Sequence, residues 1–557
     1  MKLSDIEIAH NAKIEPIGTI AEKLLGHERG LTYEDIGGEM AKLPIGLINE
    51  ENIKKSKLIL VTSISPTKAG IGKTTVSIGL NDALRTNGKK SVAVLREPSL
   101  GPCFGMKGGA CGGGYSQVIP MEKINLHFTG DFHAITTANN LIAAAVDNYF
   151  YHNPEEFGKV KKITFRRCLD INDRSLRIVY TKDRHGNLIE TGFDITPASE
   201  IMAIFCLATD MDDLRRRIDN IIVAECNDGS FMYCSMLGIT GSIVALLSDA
   251  MNPNLVQSLE HNPVIIHGGP FANIAHGCNT VIATKMGLSL ADIVVTEAGF
   301  GSDLGAEKFW DIKCRTAGLK PDVVVLVVTI RGIKNQGGAT EIDKENFDAF
   351  NIGLQNLKQH VNNLRKQGHK VIVTNNSFDT DTEKEQLALE TYCLDELNVK
   401  CIKNTCFTSG GLGAVRLACA VEEILHKTET TQSFVYELQD NIKTKINKIA
   451  ENVYGLNTDN ISYSKQAEKF IKEHAADKFS KYPICIAKTQ YSFADDPNVV
   501  LPVPTKDTPF HIDEIKINNG AGFLVVIAGE MMRMPGLPKK PAAMTIDYKD
   551  GEIVGLS

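Results

Sequence analysis

The residues best suited to do chemistry lie in the stretch Lys57 to Thr75, KLILVTSISPTKAGIGKTT, where an apolar strand runs into a glycine-bearing turn ending in Gly72-Lys73-Thr74. Gly70 and Gly72 let the backbone fold so that successive N–H groups point at one anion. The helix that follows, with Val76, Leu80 and Leu84 at helical spacing, adds the positive end of its dipole. Thr67, Lys68, Ala69, Gly70, Ile71, Gly72, Lys73 and Thr74 therefore read as a loop that cradles the phosphates of ATP. Lys73 reaches the outer phosphates and the Thr74 hydroxyl sits on the magnesium of MgATP. Thr67 stands where the G-x-x-x-x-G-K-S/T pattern has its first glycine, and an ordinary Gly-rich turn is the competing reading.

Directly after the run SVAVL comes REPSLGPCFGMKGGACGGGYSQVIPMEKINLHFTGD, Arg96 to Asp131. Glycines at that density cost conformational entropy and are tolerated where backbone must approach a ligand closely. A guanidinium one βα unit beyond the phosphate loop can grip a small carboxylate or an acyl phosphate bidentately, which makes Arg96 a catalytic candidate beside Lys73. The alternative is that Arg96 pairs with Glu97 or a neighbouring acid at the sheet edge. His127, Asp131 and His133 form a compact polar cluster, suited to proton transfer or to orienting a metal-bound water, or else to structural hydrogen bonding.

The elements that must position these groups are apolar, β-branched runs at Leu58 to Val61, Ser91 to Leu95, Pro263 to Ile266, Asp292 to Val295, Val323 to Val328 and Lys370 to Val373. Helical stretches such as Ala198 to Ala208 and Lys344 to Gln367 lie between them. Strands alternating with helices predict an α/β fold, P-loop NTPase-like, with a doubly wound, mostly parallel sheet and additional smaller α/β domains. Ligands in such folds sit beyond the carboxyl ends of the strands, so Arg96, His267, Thr296 to Gly301, Thr329 to Lys334 and Asn375 to Thr382 are further site candidates. Boundaries are expected near Gly337-Gly338 and around Tyr454 to Asp459, and Pro535, Pro538 and Pro541 keep the tail from forming a long helix.

A chain of 557 residues exceeds one hydrophobic core. Its 43% apolar and 23% charged residues are those of a globular protein, and no apolar run approaches the roughly 20 residues of a membrane span. The N-terminal MKLSDIEIAHNAKI has no apolar signal core, so a cytoplasmic protein is expected, without a membrane partner. Thirteen cysteines, none in C-x-x-C spacing, point to reduced thiols. A formal charge of −7 with no basic block makes nucleic acid an unlikely partner.

With these pieces assembled, the chain resembles the formate–tetrahydrofolate ligases. The likeness runs from Lys13, at the start of KIEPI, to the closing MPGLPKKPAA and DGEIVGL, and is most specific in HGGPFANIAHGCN followed by VTEAGFGSDLGAEKF. The resemblance implies that formate attacks the terminal phosphate of MgATP to give formyl phosphate, from which N10 of tetrahydrofolate takes the formyl group. Arg96 would hold formate and then the acyl phosphate. It implies a folate ring sandwiched between Phe300 and an aromatic residue that is Phe407 here and usually a tryptophan, with Asn376, Phe378, Asp381 and Thr382 lining the pocket. It also implies a homotetramer built as a dimer of dimers and activation by a monovalent cation, potassium or ammonium. Three domains follow: 1–338 for nucleotide and formate, 339–457 contributing to the folate pocket, and 458–557 as a small C-terminal α+β unit.

The chain departs from the family pattern at Lys68 and Ile71, where proline and glutamate are usual, and at Ser409 and Leu412, where lysine and glutamate are usual. Gly332 and Gln336 replace an alanine and a histidine. Phenylalanine at 407 covers about 50 Å² less ring than tryptophan, worth roughly 1 kcal/mol of folate affinity. These changes keep a second reading open, a divergent folate- or nucleotide-binding paralogue without ligase activity. A third reading takes Lys68 to Thr74 as the deviant loop of partitioning and iron-protein ATPases, whose chains lack the REPSLGP and HGGPFANIAHGCN blocks.

Overall fold

The run Lys57–Ser63 is apolar on successive residues rather than alternate ones, the pattern of a strand covered on both faces. In the computed structural model, which describes residues 3–26, 32–67, 70–106, 111–427, 431–499, 507–529 and 531–556, it lies deep within a 12-stranded sheet. The order across the sheet is Glu34–Ile36, Met40–Lys42, Asn254–Ser258, Pro263–Ile266, Ser91–Leu95, Ile293–Glu297, Lys57–Ser63, Val323–Val328, Val371–Asn376 and Cys401–Asn404. Ser116–Ile119, paired with Gly112–Gly113, attaches to Asn254–Ser258. From Pro263–Ile266 onward every pairing is parallel. The mixed α/β class and the largely parallel sheet agree with the reading of the sequence.

The register sets the site. Glu297 lies opposite Val61, and Val327 opposite Ser63, so three neighbouring strands end level with one another. The chain leaves the strand Lys57–Ser63 through the helix Lys73–Thr86 to Ser91–Leu95 on one side, and Val323–Val328, on its other side, is reached later from Ile293–Glu297. With right-handed crossovers this puts helices on both faces and opens a crevice at the carboxyl edge. The helix Phe347–Lys366 leads on to Val371–Asn376, and Glu383–Asp395 to Cys401–Asn404. A four-stranded mixed sheet, ordered Ile461–Tyr463, Phe510–Asn518, Phe523–Ala528, Ile484–Ala487, carries a separate core around Tyr436, Ile446 and Phe510. No helix among the described residues is long and apolar enough to cross a membrane.

One ion pair locks the edge of this arrangement. Lys334 Nζ, on Ile330–Gln336, lies 2.9 Å from Glu385 Oε1 on Glu383–Asp395, with both side chains buried. The same ammonium donates to Lys344 O at 2.8 Å, and Glu385 closes a capping box with Thr382. Lys334→Ala strands a buried carboxylate and is expected to cost about 3–5 kcal/mol, read as a lower midpoint of thermal or urea unfolding. An unchanged midpoint would show the pair to be dispensable.

Candidate active site

Gly70 and Gly72 take φ values of 80° and 83°, the left-handed region where a side chain is strained. Gly72 is the N-cap of Lys73–Thr86 and no side chain caps that helix, which leaves its first N–H groups directed at the crevice. A Cβ at Gly72 would meet Asn376 Nδ2 at 2.2 Å. Asn376 donates to Ile71 O at 3.1 Å, so this residue of the expected folate set also braces the expected phosphate loop. Thr67 Oγ1 lies 3.4 Å from Gly70 O, and Lys73 Nζ lies 3.4 Å from Ser63 Oγ. Lys68 and Ala69 lie outside the described residues.

Thr74 and Arg96, read separately from the sequence, converge on a carboxylate that the sequence analysis did not single out within Thr296 to Gly301. Thr74 Oγ1 donates to Glu297 Oε2 at 2.9 Å, and Arg96 Nη2 lies 3.6 Å from Glu297 Oε1. Glu297 is buried at the end of its strand. The Arg96 contact is an ion pair too long for a hydrogen bond, and Nε of that guanidinium has no hydrogen-bond partner among the described residues. Arg96 Nη1 donates to Pro270 O at 3.3 Å, and a Cβ at Gly299 would press on the same nitrogen at 2.8 Å. The guanidinium is thus seated by backbone and keeps donors for an anion.

Other expectations are corrected. Arg96 does not pair with Glu97, although the other half of that alternative holds, since its ion pair with Glu297 is to a neighbouring acid at the sheet edge; Glu97 turns inward, and burial, then the Asp131 carboxylate, holds its carboxyl well above the usual range. His127 and His133 are exposed while Asp131 is buried, so the three do not form a cluster. Asp131 accepts from Lys42 Nζ at 2.6 Å and Asn254 Nδ2 at 2.7 Å, a structural pairing. His267 is also internal: its ring nitrogens meet Thr280 Oγ1 at 2.7 Å and Ala250 O at 2.6 Å, and burial lowers its pKa to about 3.

Among the residues expected to hold folate, Phe300 sits just past Ile293–Glu297 with φ 58°, an uncommon value for a bulky residue, and its carbonyl lies 3.1 Å from Ser63 Oγ. Phe407, 39% exposed, leaves room for another ring, and it packs against Gly113, where a Cβ would lie 3.0 Å from the ring. Phe378 lies under the Arg331 guanidinium, 4.3 Å from its ring centre. Asp381 accepts from Phe378 N at 2.9 Å, and Thr382 caps Glu383–Asp395, so both have local structural work.

The family model described as "Formate--tetrahydrofolate ligase" matches residues 3–557. Among curated proteins, the formate–tetrahydrofolate ligase of Bacteroides thetaiotaomicron is 51% identical, with all of both chains covered. One from Bacteroides fragilis is 52% identical over all of both chains, and that of Pelagibacter ubique is 50% identical over 99% of each.

Two of the departures from the family pattern touch each other. Ile71 is 2% exposed and belongs to the core of the large sheet, so this loop residue is an apolar anchor. A methyl group at Gly332 would lie 3.0 Å from Ile71 Cδ1 and 2.7 Å from Thr329 Oγ1, which caps Gly332 N. Gly332→Ala is therefore expected to overpack the loop's footing by about 1–3 kcal/mol and weaken nucleotide binding. Ile71→Val, which removes the Cδ1 carbon, restores part of the loss. Titration with MgADP checks both; equal affinity in Gly332→Ala would show that the loop floats free of this contact.

Proposed function

The chain belongs to the formate–tetrahydrofolate ligase family, and from that premise we propose that it joins formate to N10 of tetrahydrofolate with MgATP, through formyl phosphate, giving 10-formyltetrahydrofolate, ADP and phosphate. The likeness over the full length supports the reaction. The convergence of Thr74 and Arg96 on Glu297 is the observation that carries the assignment of residues to it.

In this reading the loop is that of a P-loop nucleotide-binding fold. Its amides, the N-terminus of Lys73–Thr86 and Lys73 bear the charge that builds on the transferred phosphoryl group. Arg96 holds formate in line, so that a carboxylate oxygen attacks the γ-phosphorus as ADP departs. Thr74 is the magnesium-side hydroxyl of bound MgATP, which releases Glu297 to accept from a water on that ion. Arg96 then grips formyl phosphate, whose survival depends on the exclusion of water. N10 of tetrahydrofolate attacks the formyl carbon, and phosphate leaves carrying the N10 proton. Phe300 and Phe407 are assigned to the faces of the folate ring, with Phe378, Asn376, Asp381 and Thr382 around it.

Activation by a monovalent cation, potassium or ammonium, belongs to the same reading. Residues 1–338, 339–457 and 458–557 are assigned to nucleotide and formate, to the folate pocket and to a C-terminal unit, within a cytoplasmic homotetramer arranged as a dimer of dimers.

The test is formation of 10-formyltetrahydrofolate from formate, MgATP and tetrahydrofolate by purified protein, read after acid conversion to the methenyl form. Product that requires all three substrates is expected; none, despite binding of nucleotide and folate, would favour a binding paralogue. Arg96→Ala is expected to lower formate-dependent turnover about 10²–10³-fold while MgADP affinity stays unchanged, and unchanged turnover removes Arg96 from the formate site. Glu297→Gln takes away a charge that repels formate but serves the metal. It is expected to lower kcat about tenfold or more while the KM for formate falls or stays level, and a raised KM would reverse that assignment.

A further inference from the structure

The phosphate loop and the turn that bears Phe300 are joined by a residue belonging to neither. Ser65, two residues past the end of Lys57–Ser63, is fully buried and its N–H donates to His360 Nε2 at 2.9 Å. That bond places the lone pair on Nε2 and the proton on Nδ1, and Nδ1 lies 2.7 Å from Ser302 Oγ, two residues beyond Phe300. His360 projects from Phe347–Lys366, is fully buried and packs against the Phe493 ring at 4.7 Å. Burial lowers its pKa to about 4, so the ring stays neutral and the donor and acceptor ends keep their identities near neutral pH.

Both ends are fixed by their surroundings. Asn356, one helical turn before His360, donates from Nδ2 to Ser65 Oγ at 3.0 Å, and Gln336 Nε2 lies 3.5 Å from Ser65 O. On the other side Asp303, next to Ser302, is paired with Lys488 Nζ at 3.0 Å. Ser63 adds a second link, with Oγ 3.1 Å from Phe300 O and 3.4 Å from Lys73 Nζ. Ser65, two residues before the loop begins at Thr67, is thus joined through one buried ring to the segment that sets the Phe300 backbone, where φ 58° is held against its own preference.

We propose that His360 is a positioning residue that ties the phosphate loop to the Phe300 turn, so that nucleotide and folate bind cooperatively. The inference rests on the nucleotide and folate assignments made above. Ordering the loop around phosphates prepays the ordering of the turn, and by linkage folate strengthens nucleotide binding by the same factor.

The experiment is calorimetric titration of the full-length protein with MgADP and with tetrahydrofolate, each alone and each in the presence of the other. Wild-type protein is expected to bind each ligand about 5–150-fold more tightly when the other is present. His360→Ala and Ser302→Ala are expected to bring that factor close to one, while each ligand alone binds within about threefold of wild type. Ser302→Ala removes only one hydroxyl, so the test stands even if His360→Ala fails to fold. A coupling factor unchanged in Ser302→Ala overturns the proposal, as does wild-type protein that binds both ligands independently. Wild-type protein that binds neither ligand overturns the substrate assignment itself.

Discussion

A carboxylate buried at the end of a strand must be answered by donors, and the Glu297 carboxylate is answered from the first turn of a helix by the Thr74 hydroxyl and from a neighbouring strand end by the Arg96 guanidinium. This works because Ile293–Glu297, late in the chain, enters the sheet between two strands laid down early, Ser91–Leu95 and Lys57–Ser63. The insertion brings the phosphate loop and Arg96 to either side of one acid. Moving Ile293–Glu297 to an edge would leave Thr74 and Arg96, beyond the ends of adjacent strands, with nothing between them to balance the guanidinium before an anion arrives.

The wall beneath Arg96 has little regular structure, and buried ammonium groups hold it. Lys308 Nζ donates to Ala272 O at 2.6 Å, while Lys313 Nζ donates to Asn279 O, Asn279 Oδ1 and Thr284 Oγ1, each at 2.8 Å. Asn279 in turn donates to Val94 O at 2.8 Å on the strand that leads to Arg96. Burial draws the Lys313 pKa down to about 8, a measure of how hard this position is on a charge. The three hydrogen bonds of Lys313 offset that cost and, with the one from Lys308, give an irregular segment the stiffness that a helix or strand would have from its own ladder.

The strands of the sheet were legible because strands covered on both faces need unbroken β-branched runs, as in Val323–Val328. The loop was legible because Gly70 and Gly72 are needed where φ is positive. Side-chain direction was not legible. His267, just past a strand end, and Asp131, close in sequence to His127 and His133, read as site candidates, yet both side chains turn inward. Glu297 went unassigned for another reason: its partner Thr74 is 223 residues away, and only the strand order brings the two together.

The departures at Ile71, Gly332 and Gln336 look at first like damage to a nucleotide site, but they fall on its supports. The array proposed to meet phosphate consists of backbone N–H groups, a helix N-terminus, Lys73 and Thr74, and no substitution at 71 or 332 removes any of these. The changed residues act from below: Ile71 as an apolar plug over Gly332, and Gln336 as a neutral partner of Ser65 and Asn356. A glutamate at 71 would bring a charge into a position that is 2% exposed, whereas isoleucine gains by the same burial. Reaction chemistry held by main chain tolerates exchange of the side chains that prop it, provided that the props change together. The facing pair Ile71 and Gly332 fits that condition, because the space a methyl at 332 would need is the space that Ile71 Cδ1 fills.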